Sequence, residues 1–207
     1  YLGVPGSDFI HPLMDQAERS GVASAVLTTA LPDSIAAVLV EPVAANMNLV
    51  APRAGFLEGL RVECDRVGAL LIFDEVITGF RLARGGAESY FGVTPDMWCF
   101  GKVIGGGLPI GAVGGRRDLM STLSPIGKVF HAGTLAGNPL ATAAGLAALN
   151  ELTDDVYMEL AARARRVASM LRDATASAGV DAQFPVVGTL VGMFFGAGNA
   201  GRVPMNF

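Results

Sequence analysis

Two short segments of the chain are apolar at every position, which is typical of strands buried on both faces of a parallel sheet. They are Ile35–Val40 and Ala69–Phe73. Between them, Ala54–Val67 has its apolar residues at a helical spacing and is followed by Gly68, a common helix stop. This order of strand, helix and strand predicts the α/β class, with a mostly parallel sheet and helices on both of its faces.

Further elements follow the same patterns. Met97–Phe100 predicts a third short strand, and Ile110–Val113 predicts a fourth. The pair Asn138-Pro139 predicts the start of a helix, because Asn caps a helix N-terminus and Pro fits the first helical position. We expect this helix to run to about Leu152.

A long amphipathic helix is predicted over Asp154–Ala178, and Val186–Phe195 predicts a strand after it. The apolar stripe expected to face the core comprises Val156, Leu160, Ala164, Val167, Leu171 and Ala174. The change from a glycine-rich α/β pattern to a long charged helix predicts a domain boundary near residue 153. We therefore expect a large domain over residues 1–153, followed over residues 154–207 by a connecting helix and the beginning of a smaller domain.

Composition narrows the possible functions. Of the 207 residues, 51% are hydrophobic and 16% charged, which suits a packed core, and the net charge of -4 lacks the basic character expected of a nucleic-acid-binding protein. No apolar run is long enough to span a bilayer. Two cysteines cannot form a disulfide framework, and His11 and His131 have no second ligand close in sequence. We expect a cytoplasmic protein without a metal, membrane or nucleic-acid partner.

Polar residues stand where three of the predicted strands end. Glu41 follows the first strand, Asp74 and Glu75 follow the second, and Lys102 follows the third after Gly101. Ligands of open parallel sheets bind beyond the carboxyl ends of the strands. The sequence therefore predicts a site with acids and a lysine at one edge of the sheet.

Lys102 and Asp74 suggest a particular chemistry. Lys102 is flanked by apolar residues and glycines, so we expect it to be poorly hydrated and to favour the neutral amine that forms a Schiff base. A surface lysine in a turn is the commoner explanation for such a residue taken alone. Asp74 has an ordinary explanation as a turn acid, but it could also keep a pyridine nitrogen protonated and so make the ring an electron sink.

Nucleotide binding is the alternative from a different functional class. Leu70–Glu75 also looks like the magnesium-binding strand of a P-loop ATPase. The phosphate loop fails around Lys102, however, because Asp96 stands in place of its first glycine and Val103 in place of its hydroxyl residue. Gly196–Gly201 has the glycine spacing of a dinucleotide fingerprint, but no helix is predicted after it.

Four motifs occur in an order that is specific when taken together. They are Val40–Val43, Leu71–Arg81, Gly101–Gly111 and Ala132–Leu140. They resemble the class III (fold type I) pyridoxal 5′-phosphate (PLP)-dependent aminotransferases, most closely the glutamate-1-semialdehyde 2,1-aminomutase branch. The resemblance covers residues 35–150 well. It implies PLP as the cofactor and a fold type I large domain followed by the start of a smaller α+β C-terminal domain.

The resemblance also implies roles for five residues. Lys102 would bind PLP covalently and then move the proton between substrate and cofactor, and Asp74 would pair with the pyridinium nitrogen. Val76 would pack against one face of the ring, and Tyr1 would stack on the cofactor. Thr134 would bind the cofactor phosphate of the neighbouring subunit, so that a complete site requires a homodimer.

The expected reaction is amino-group transfer or 1,2-amino migration on a small amino acid or amino aldehyde. Asn46 and Ile77 stand where many ordinary class III aminotransferases have a glutamate and a glutamine, which is similar to the aminomutase branch. An aminotransferase or related PLP enzyme of secondary metabolism is the alternative within the family. By the same resemblance, the family's phosphate-binding Ser/Gly loop would lie upstream of Tyr1 and most of the small domain beyond Phe207. Glu41 would be a structural or supporting acid.

Overall fold

The structure, a computed structural model, describes residues 2–3, 27–28 and 35–196 of the chain. Strands β1 (Leu2–Gly3) and β2 (Leu27–Thr28) pair in parallel as a separate two-stranded sheet. The other described elements lie in the third of these ranges.

A four-stranded sheet lies at the centre of this part of the chain. Its strands are β3 (Ala37–Val40), β4 (Leu70–Glu75), β5 (Met97–Phe100) and β6 (Ala112–Gly115), and they are neighbours in that order. Strands β3, β4 and β5 run parallel, and β6 runs antiparallel to β5. The predicted α/β class with a mostly parallel sheet is confirmed.

The strand bounds differ from the predicted ones in two places. Strand β4 continues through Asp74 and Glu75, because these residues pair with Cys99 and Phe100 of β5. The fourth strand lies two residues later than predicted and turns back against its neighbour. An apolar run locates a strand, but it does not specify which residues pair or in which direction.

One face of the sheet is well covered. Helix α1 (Phe56–Val67) follows β3 and buries four residues on one side, namely Phe56, Leu57, Leu60 and Cys64. On the sheet, Leu71 and Phe73 are fully buried in the same core. The opposite face is more open, since Leu39 is 63% exposed and its neighbour Ile72 only half-buried. Among the described residues, the covering is therefore fuller on one face of the sheet than on the other.

The remaining helices are α2 (Gly86–Phe91), α3 (Arg117–Met120), α4 (Pro139–Asn150) and α5 (Asp154–Ser177). The start of α4 is as predicted, because Oδ1 of Asn138 accepts hydrogen bonds from the first free backbone N–H groups of the helix. Among the described residues, no helix has both the length and the apolarity needed to cross a membrane.

Helix α5 turns a different stripe to the core from the one predicted. Ala164 is buried as expected, and Ala168 is buried with it. The larger side chains of Leu160, Val167 and Leu171 are exposed. The prediction was wrong because α5 packs on short C-terminal strands, where small side chains allow a close approach, whereas spacing alone favoured the larger residues.

The strand predicted over Val186–Phe195 is instead three short strands. They are β8 (Val186–Val187), β9 (Leu190–Val191) and β10 (Phe194–Phe195), of which β8 and β9 form an antiparallel hairpin. Strand β10 pairs with β7, which comprises Ala182 and Gln183. Gly188, with φ +57, forms the turn that interrupts the run.

Elements after residue 153 contact the loop that follows β4. The Tyr157 hydroxyl donates a hydrogen bond to the carbonyl oxygen of Phe80 at 3.0 Å. The Thr189 hydroxyl donates one to the carbonyl oxygen of Arg81 at 2.8 Å. The division into two domains near residue 153 stays a prediction, but the two parts are joined here by polar contacts.

A buried acid joins three elements at the amino end of β5. The carboxylate of Asp96 accepts hydrogen bonds from the backbone N–H of Leu71 (2.8 Å), from Arg61 (2.8 Å) and from Arg116 (2.6 Å). Burial raises the pKa of Asp96, but the Leu71 N–H and the Arg61 guanidinium outweigh it, so the pKa lies below the ordinary value of 3.8. The charged form of Asp96 therefore contributes to stability.

We expect Asp96→Asn to lower the free energy of unfolding at neutral pH by about 1–3 kcal/mol. The substitution replaces one of the two accepting oxygens by an NH₂ group, which cannot accept a hydrogen bond from the arginines or the Leu71 N–H. A depressed folded-state pKa gives stability that is complete above the unfolded-state value and is lost as the pH falls through the folded-state value. The difference in the free energy of unfolding between the wild type and Asp96→Asn should therefore become smaller below about pH 4. Urea unfolding at a series of pH values measures it.

Asp118→Asn is the matched control, because Asp118 also binds Arg116 but is exposed. Exposed ion pairs contribute little, so this variant should unfold almost like the wild type. Equal losses in the two variants would contradict the role assigned to Asp96.

Candidate functional site

The predicted site residues lie at one edge of the sheet. Strands β3, β4 and β5 are parallel neighbours, so their carboxyl ends meet there. Asp74 is the penultimate residue of β4 and pairs with Cys99, and Lys102 lies two residues beyond the end of β5. The register of the strands therefore places Asp74 and Lys102 at this edge of the sheet.

Among the described residues, Asp74 has one carboxylate oxygen that accepts a hydrogen bond and one that accepts none. The oxygen Oδ1 accepts a hydrogen bond from the backbone N–H of Val76 at 3.1 Å. The second oxygen accepts none from the residues described in this structure. Burial raises the pKa of the nearby Cys99 thiol, and the negative charge of Asp74 raises it further. Asp74 therefore presents a half-buried negative charge that a small cation could meet.

Lys102 has a backbone conformation that side-chain-bearing residues seldom adopt. Its φ is +47, in the left-handed region, and it begins a short 3-10 turn over Lys102–Gly105. Such a conformation costs about 1–3 kcal/mol and persists only where the surroundings impose it, often at functional sites. The side chain is exposed in the described part of the chain, so the predicted poor hydration of this amine is wrong here.

Val76 connects Asp74 to Lys102. Gly101 directly precedes Lys102, and a Cβ built on Gly101 would lie only 3.3 Å from Cγ1 of Val76. The side chain of Val76 therefore packs on the backbone next to Lys102, while its N–H is bound by Asp74. The structure thus brings three of the predicted site residues into one neighbourhood.

Helix α4 supports the turn at Lys102 through backbone contacts. A Cβ on Gly145 would lie 2.0 Å from the carbonyl oxygen of Ile104. In the other direction, a Cβ on Gly106, which has φ +57, would lie 2.4 Å from the carbonyl oxygen of Ala144. The helix and the turn therefore touch with no side chain between them, which fixes the position of Lys102 relative to α4.

We expect Gly145→Ala to lower the free energy of unfolding by about 1–3 kcal/mol, because the added methyl group must push α4 away from the turn. Thermal unfolding measures the loss. Gly114→Ala is the control, since a Cβ at Gly114 meets nothing within 4 Å. If both variants melt together with the wild type, the contact does not hold the turn.

The predicted roles of Thr134 and Tyr1 are not tested by the described structure. Thr134 lies in an exposed loop before α4, and no hydrogen bond of the described structure joins it to Asp74, Val76 or Lys102. Tyr1 lies outside the described residues. Their predicted roles stay predictions.

The acids at the other predicted positions have structural partners. Oε2 of Glu41 accepts hydrogen bonds from the backbone N–H groups of Ala45 and Asn46, at 3.1 and 3.2 Å. It therefore caps the short turn after β3, in agreement with a supporting role.

No role in the PLP site was predicted for Glu75 from the sequence, but its carboxylate is a buried hydrogen-bond acceptor. It is buried and accepts hydrogen bonds from the Thr78 hydroxyl (3.1 Å) and the Ala87 N–H (2.8 Å). Burial raises its pKa, although these two donors oppose the change. A signal was present, since alternation along β4 puts Glu75 on the same face as the buried Leu71 and Phe73.

A magnesium site at Asp74 and Glu75 receives no support. The carboxylate of Glu75 is committed to Thr78 and Ala87. In residues 35–196 and the two short strands before them, no group of three or more His, Cys, Asp or Glu side chains could hold a metal ion.

Comparison with protein families gives one match over most of the chain. Residues 5–203 match the family described as aminotransferase class-III. A glutamate-1-semialdehyde 2,1-aminomutase of Syntrophobacter fumaroxidans is 64% identical over 149 residues, covering 72% of this chain and 34% of that protein. The protein of the same name from Desulforapulum autotrophicum is 50% identical over 194 residues, covering 93% of this chain and 45% of that protein.

Solved structures agree with the fold. An omega-transaminase from Sphaerobacter thermophilus is 36% identical with a TM-score of 0.78, covering 83% of this chain and 40% of its own. A glutamate-1-semialdehyde aminomutase from Pseudomonas aeruginosa, in complex with PMP, is 30% identical with a TM-score of 0.70, covering 82% and 40% of the two chains. The chain spans between one third and one half of the length of these relatives.

Proposed function

Because the chain belongs to the class-III aminotransferase family, we propose that it carries the PLP-binding site of an enzyme that transfers an amino group or moves it between adjacent carbon atoms. One arrangement supports this most. Lys102 follows a glycine that touches Val76, and the N–H of Val76 is bound by Asp74. The backbone that carries the Lys102 amine and the Asp74 carboxylate are thereby both in contact with Val76.

The donor set at this edge of the sheet fits PLP. The available oxygen of Asp74 is suited to a protonated pyridine nitrogen, and Val76 offers an apolar surface to the ring. Lys102 offers a primary amine on a backbone held by α4. When bound, PLP supplies an electron-withdrawing ring that stabilises negative charge next to the amine-bearing carbon of the substrate.

Each residue then has a separate task in the proposed reaction. Asp74 keeps the positive charge at the pyridine nitrogen, which sustains the electron demand of the ring. Val76 would offer the ring an apolar surface to pack against. Lys102 holds the cofactor before the substrate arrives, and its freed amine then moves the proton at Nζ as a general base. The exposed position of Lys102 in this chain leaves the amine accessible to both partners.

The substrate in this proposal is a small amino acid or amino aldehyde. The names of the two curated relatives support 1,2-amino migration. Asn46 lies exposed just after the Glu41-capped turn begins, and Ile77 follows Val76 directly. We propose that these two positions affect which substrate is accepted.

An ordinary aminotransferase is the second candidate, because a solved omega-transaminase resembles the chain with a TM-score of 0.78. The two candidates differ in their need for a second substrate. An aminomutase isomerises one compound without a keto acid, whereas an aminotransferase produces a keto acid in proportion to the amine that is transferred.

A homodimer and a cytoplasmic location complete the proposal. The loop around Thr134 carries large exposed apolar side chains, and Phe130 is 82% exposed. Apolar surface of this kind is typical of protein interfaces, so a second subunit would cover it and receive Thr134 at its cofactor phosphate. The two cysteines, Cys64 and Cys99, are both free, which suits a reducing compartment.

Borohydride reduction in the presence of PLP tests the proposed site directly. The sequence has two lysines, Lys102 and Lys128, and both are exposed. We expect peptide mapping to find the reduced pyridoxyl group on Lys102 and not on Lys128, because Lys102 directly follows Gly101, on which Val76 packs. Lys128→Arg should keep the label. A label on Lys128, or no label at all, would refute the proposed site.

A further inference from the structure

We propose that Glu75 is a positioning residue whose buried carboxylate holds the turn that supports both Asp74 and the backbone leading to Lys102. This inference rests on the proposed function, since it assigns Glu75 a task only if Asp74 and Lys102 serve the cofactor. It goes beyond that function because Glu75 itself faces away from the site, into the core.

The carboxylate of Glu75 anchors the turn to two places. Glu75 is 1% exposed, and its Oε2 accepts hydrogen bonds from the hydroxyl of the fully buried Thr78 and from the N–H of Ala87. The backbone closes the same turn, since the N–H of Gly79 donates to the carbonyl oxygen of Glu75 at 2.9 Å. The residues 75–79 are thus tied both to themselves and to the start of α2.

The packing around this carboxylate leaves no free space. A Cβ on Gly86 would lie 2.6 Å from each of the two carboxylate oxygens of Glu75, and Gly86 has φ +63. The glycine therefore lets the backbone of α2 approach the acid directly. A carboxylate packed this closely has little freedom to move, so the turn that is hydrogen-bonded to it is held in place.

The anchor acts on Asp74 through the chain itself. Asp74 and Glu75 are adjacent in β4, so their side chains point to opposite faces of the strand. Val76, the next residue, donates its N–H to Asp74 and packs on Gly101. Holding Glu75 in place therefore also holds the backbone of its neighbours Asp74 and Val76, the two residues that would contact the pyridine ring.

The anchor acts on Lys102 through Phe100. Phe100 pairs with Glu75 in the sheet and precedes Lys102 by two residues. A Cβ on Gly79 would lie 2.8 Å from Cδ1 of Phe100, so the Phe100 ring packs on the backbone of the turn. The ring of Phe80, a residue with φ +57, also packs on Phe100, with the two ring centroids 5.6 Å apart. The turn after β4 therefore packs against the end of β5, two residues before Lys102.

The simpler explanation is that Glu75 only caps α2 and fills the core. That explanation and ours both predict a loss of stability when the acid is removed. They differ over cofactor binding, because a cap can be lost without moving Asp74 relative to Lys102. The test must therefore compare variants that lose equal stability at different places in the sheet.

Glu75→Met and Glu75→Gln form an informative pair. Both keep the length of the side chain, but only Gln keeps an oxygen that can accept the bonds from Thr78 and Ala87. We expect Glu75→Met to weaken PLP binding roughly tenfold relative to Glu75→Gln, which corresponds to about 1.4 kcal/mol, and to alter the absorbance spectrum of the bound cofactor. Glu75→Gln should bind PLP within about twofold of the wild type.

Asp96→Leu is the matched control, because Asp96 is a buried acid with three partners at the opposite edge of the same sheet. It should lower the melting temperature and leave PLP affinity and the cofactor spectrum unchanged. If Glu75→Met affects PLP binding no more than Asp96→Leu does at an equal loss of melting temperature, Glu75 is only a cap and the inference is wrong.

Thr78→Val keeps the experiment decisive if Glu75→Met does not fold, since it removes one of the two bonds and nothing else of comparable size. It should weaken PLP binding severalfold, and Thr78→Ser should restore it; equal PLP affinity in the two Thr78 variants would overturn the inference. Labelling of Lys102 in the wild type distinguishes failure of the proposed function from failure of the role proposed for Glu75. Without that label both the proposed function and the inference fail, whereas a labelled wild type with unaffected Glu75 and Thr78 variants overturns the inference alone.

Discussion

Replacing Lys102 with alanine is expected to lower turnover by at least about 10³-fold and to leave the protein folded. A positioned general base alone contributes roughly 10²–10⁴-fold, and the proposed covalent attachment of PLP is lost with it. The fold should survive because the side chain is exposed, so its removal leaves no cavity. Steady-state rates and thermal unfolding measure the two quantities.

The left-handed backbone of Lys102 adds a second readout. The free energy of unfolding of Lys102→Gly should exceed that of Lys102→Ala by up to about 1 kcal/mol, because glycine adopts this conformation without strain. Lys128→Ala, which changes the other exposed lysine, should keep the wild-type rate. Undiminished turnover in Lys102→Ala would show that another base moves the proton.

The second large effect is expected for Asp74→Asn, with a rate about 10² to 10³-fold below that of the wild type. Removing one partner of a charge pair that the bound ring would bury costs about 3–5 kcal/mol, and each 1.36 kcal/mol in the barrier changes the rate tenfold. Stability should change little, because the side-chain oxygen of asparagine can still accept the hydrogen bond from Val76. Rate constants and melting temperature are compared in the same preparation.

Asp173→Asn is the control for this substitution, since Asp173 is an exposed acid on α5. It should change neither quantity. If Asp74→Asn unfolds instead of slowing the reaction, Asp74 is only a turn acid and the proposed pairing with the ring nitrogen is wrong.

Much of the sheet and the helices could be predicted from the sequence, because their signals are local. The strand Met97–Phe100 has the predicted bounds, and Asn138 caps its helix as expected. The end of β4 was placed too early, since the prediction stopped at the first charged residue although Asp74 and Glu75 continue the ladder. Polar residues end an apolar run without ending a strand.

The site residues were predicted from residue type and order, but not their surroundings. The sequence places Asp74 and Lys102 at strand ends, and the register of the sheet agrees. The exposure of Lys102 was missed because hydration depends on elements that pack against it, not on its neighbours in the chain. The contact between Gly145 and Ile104 was also out of reach, since it joins backbones 41 residues apart.

The touching backbones of α4 and the Lys102 turn limit how this protein can be re-engineered. Any codon other than glycine at position 106 or 145 adds at least a methyl group where a carbonyl oxygen already stands. A mutant library meant to broaden the range of amines accepted should keep those two codons unchanged. Its diversity is better placed at Asn46, whose side chain is exposed.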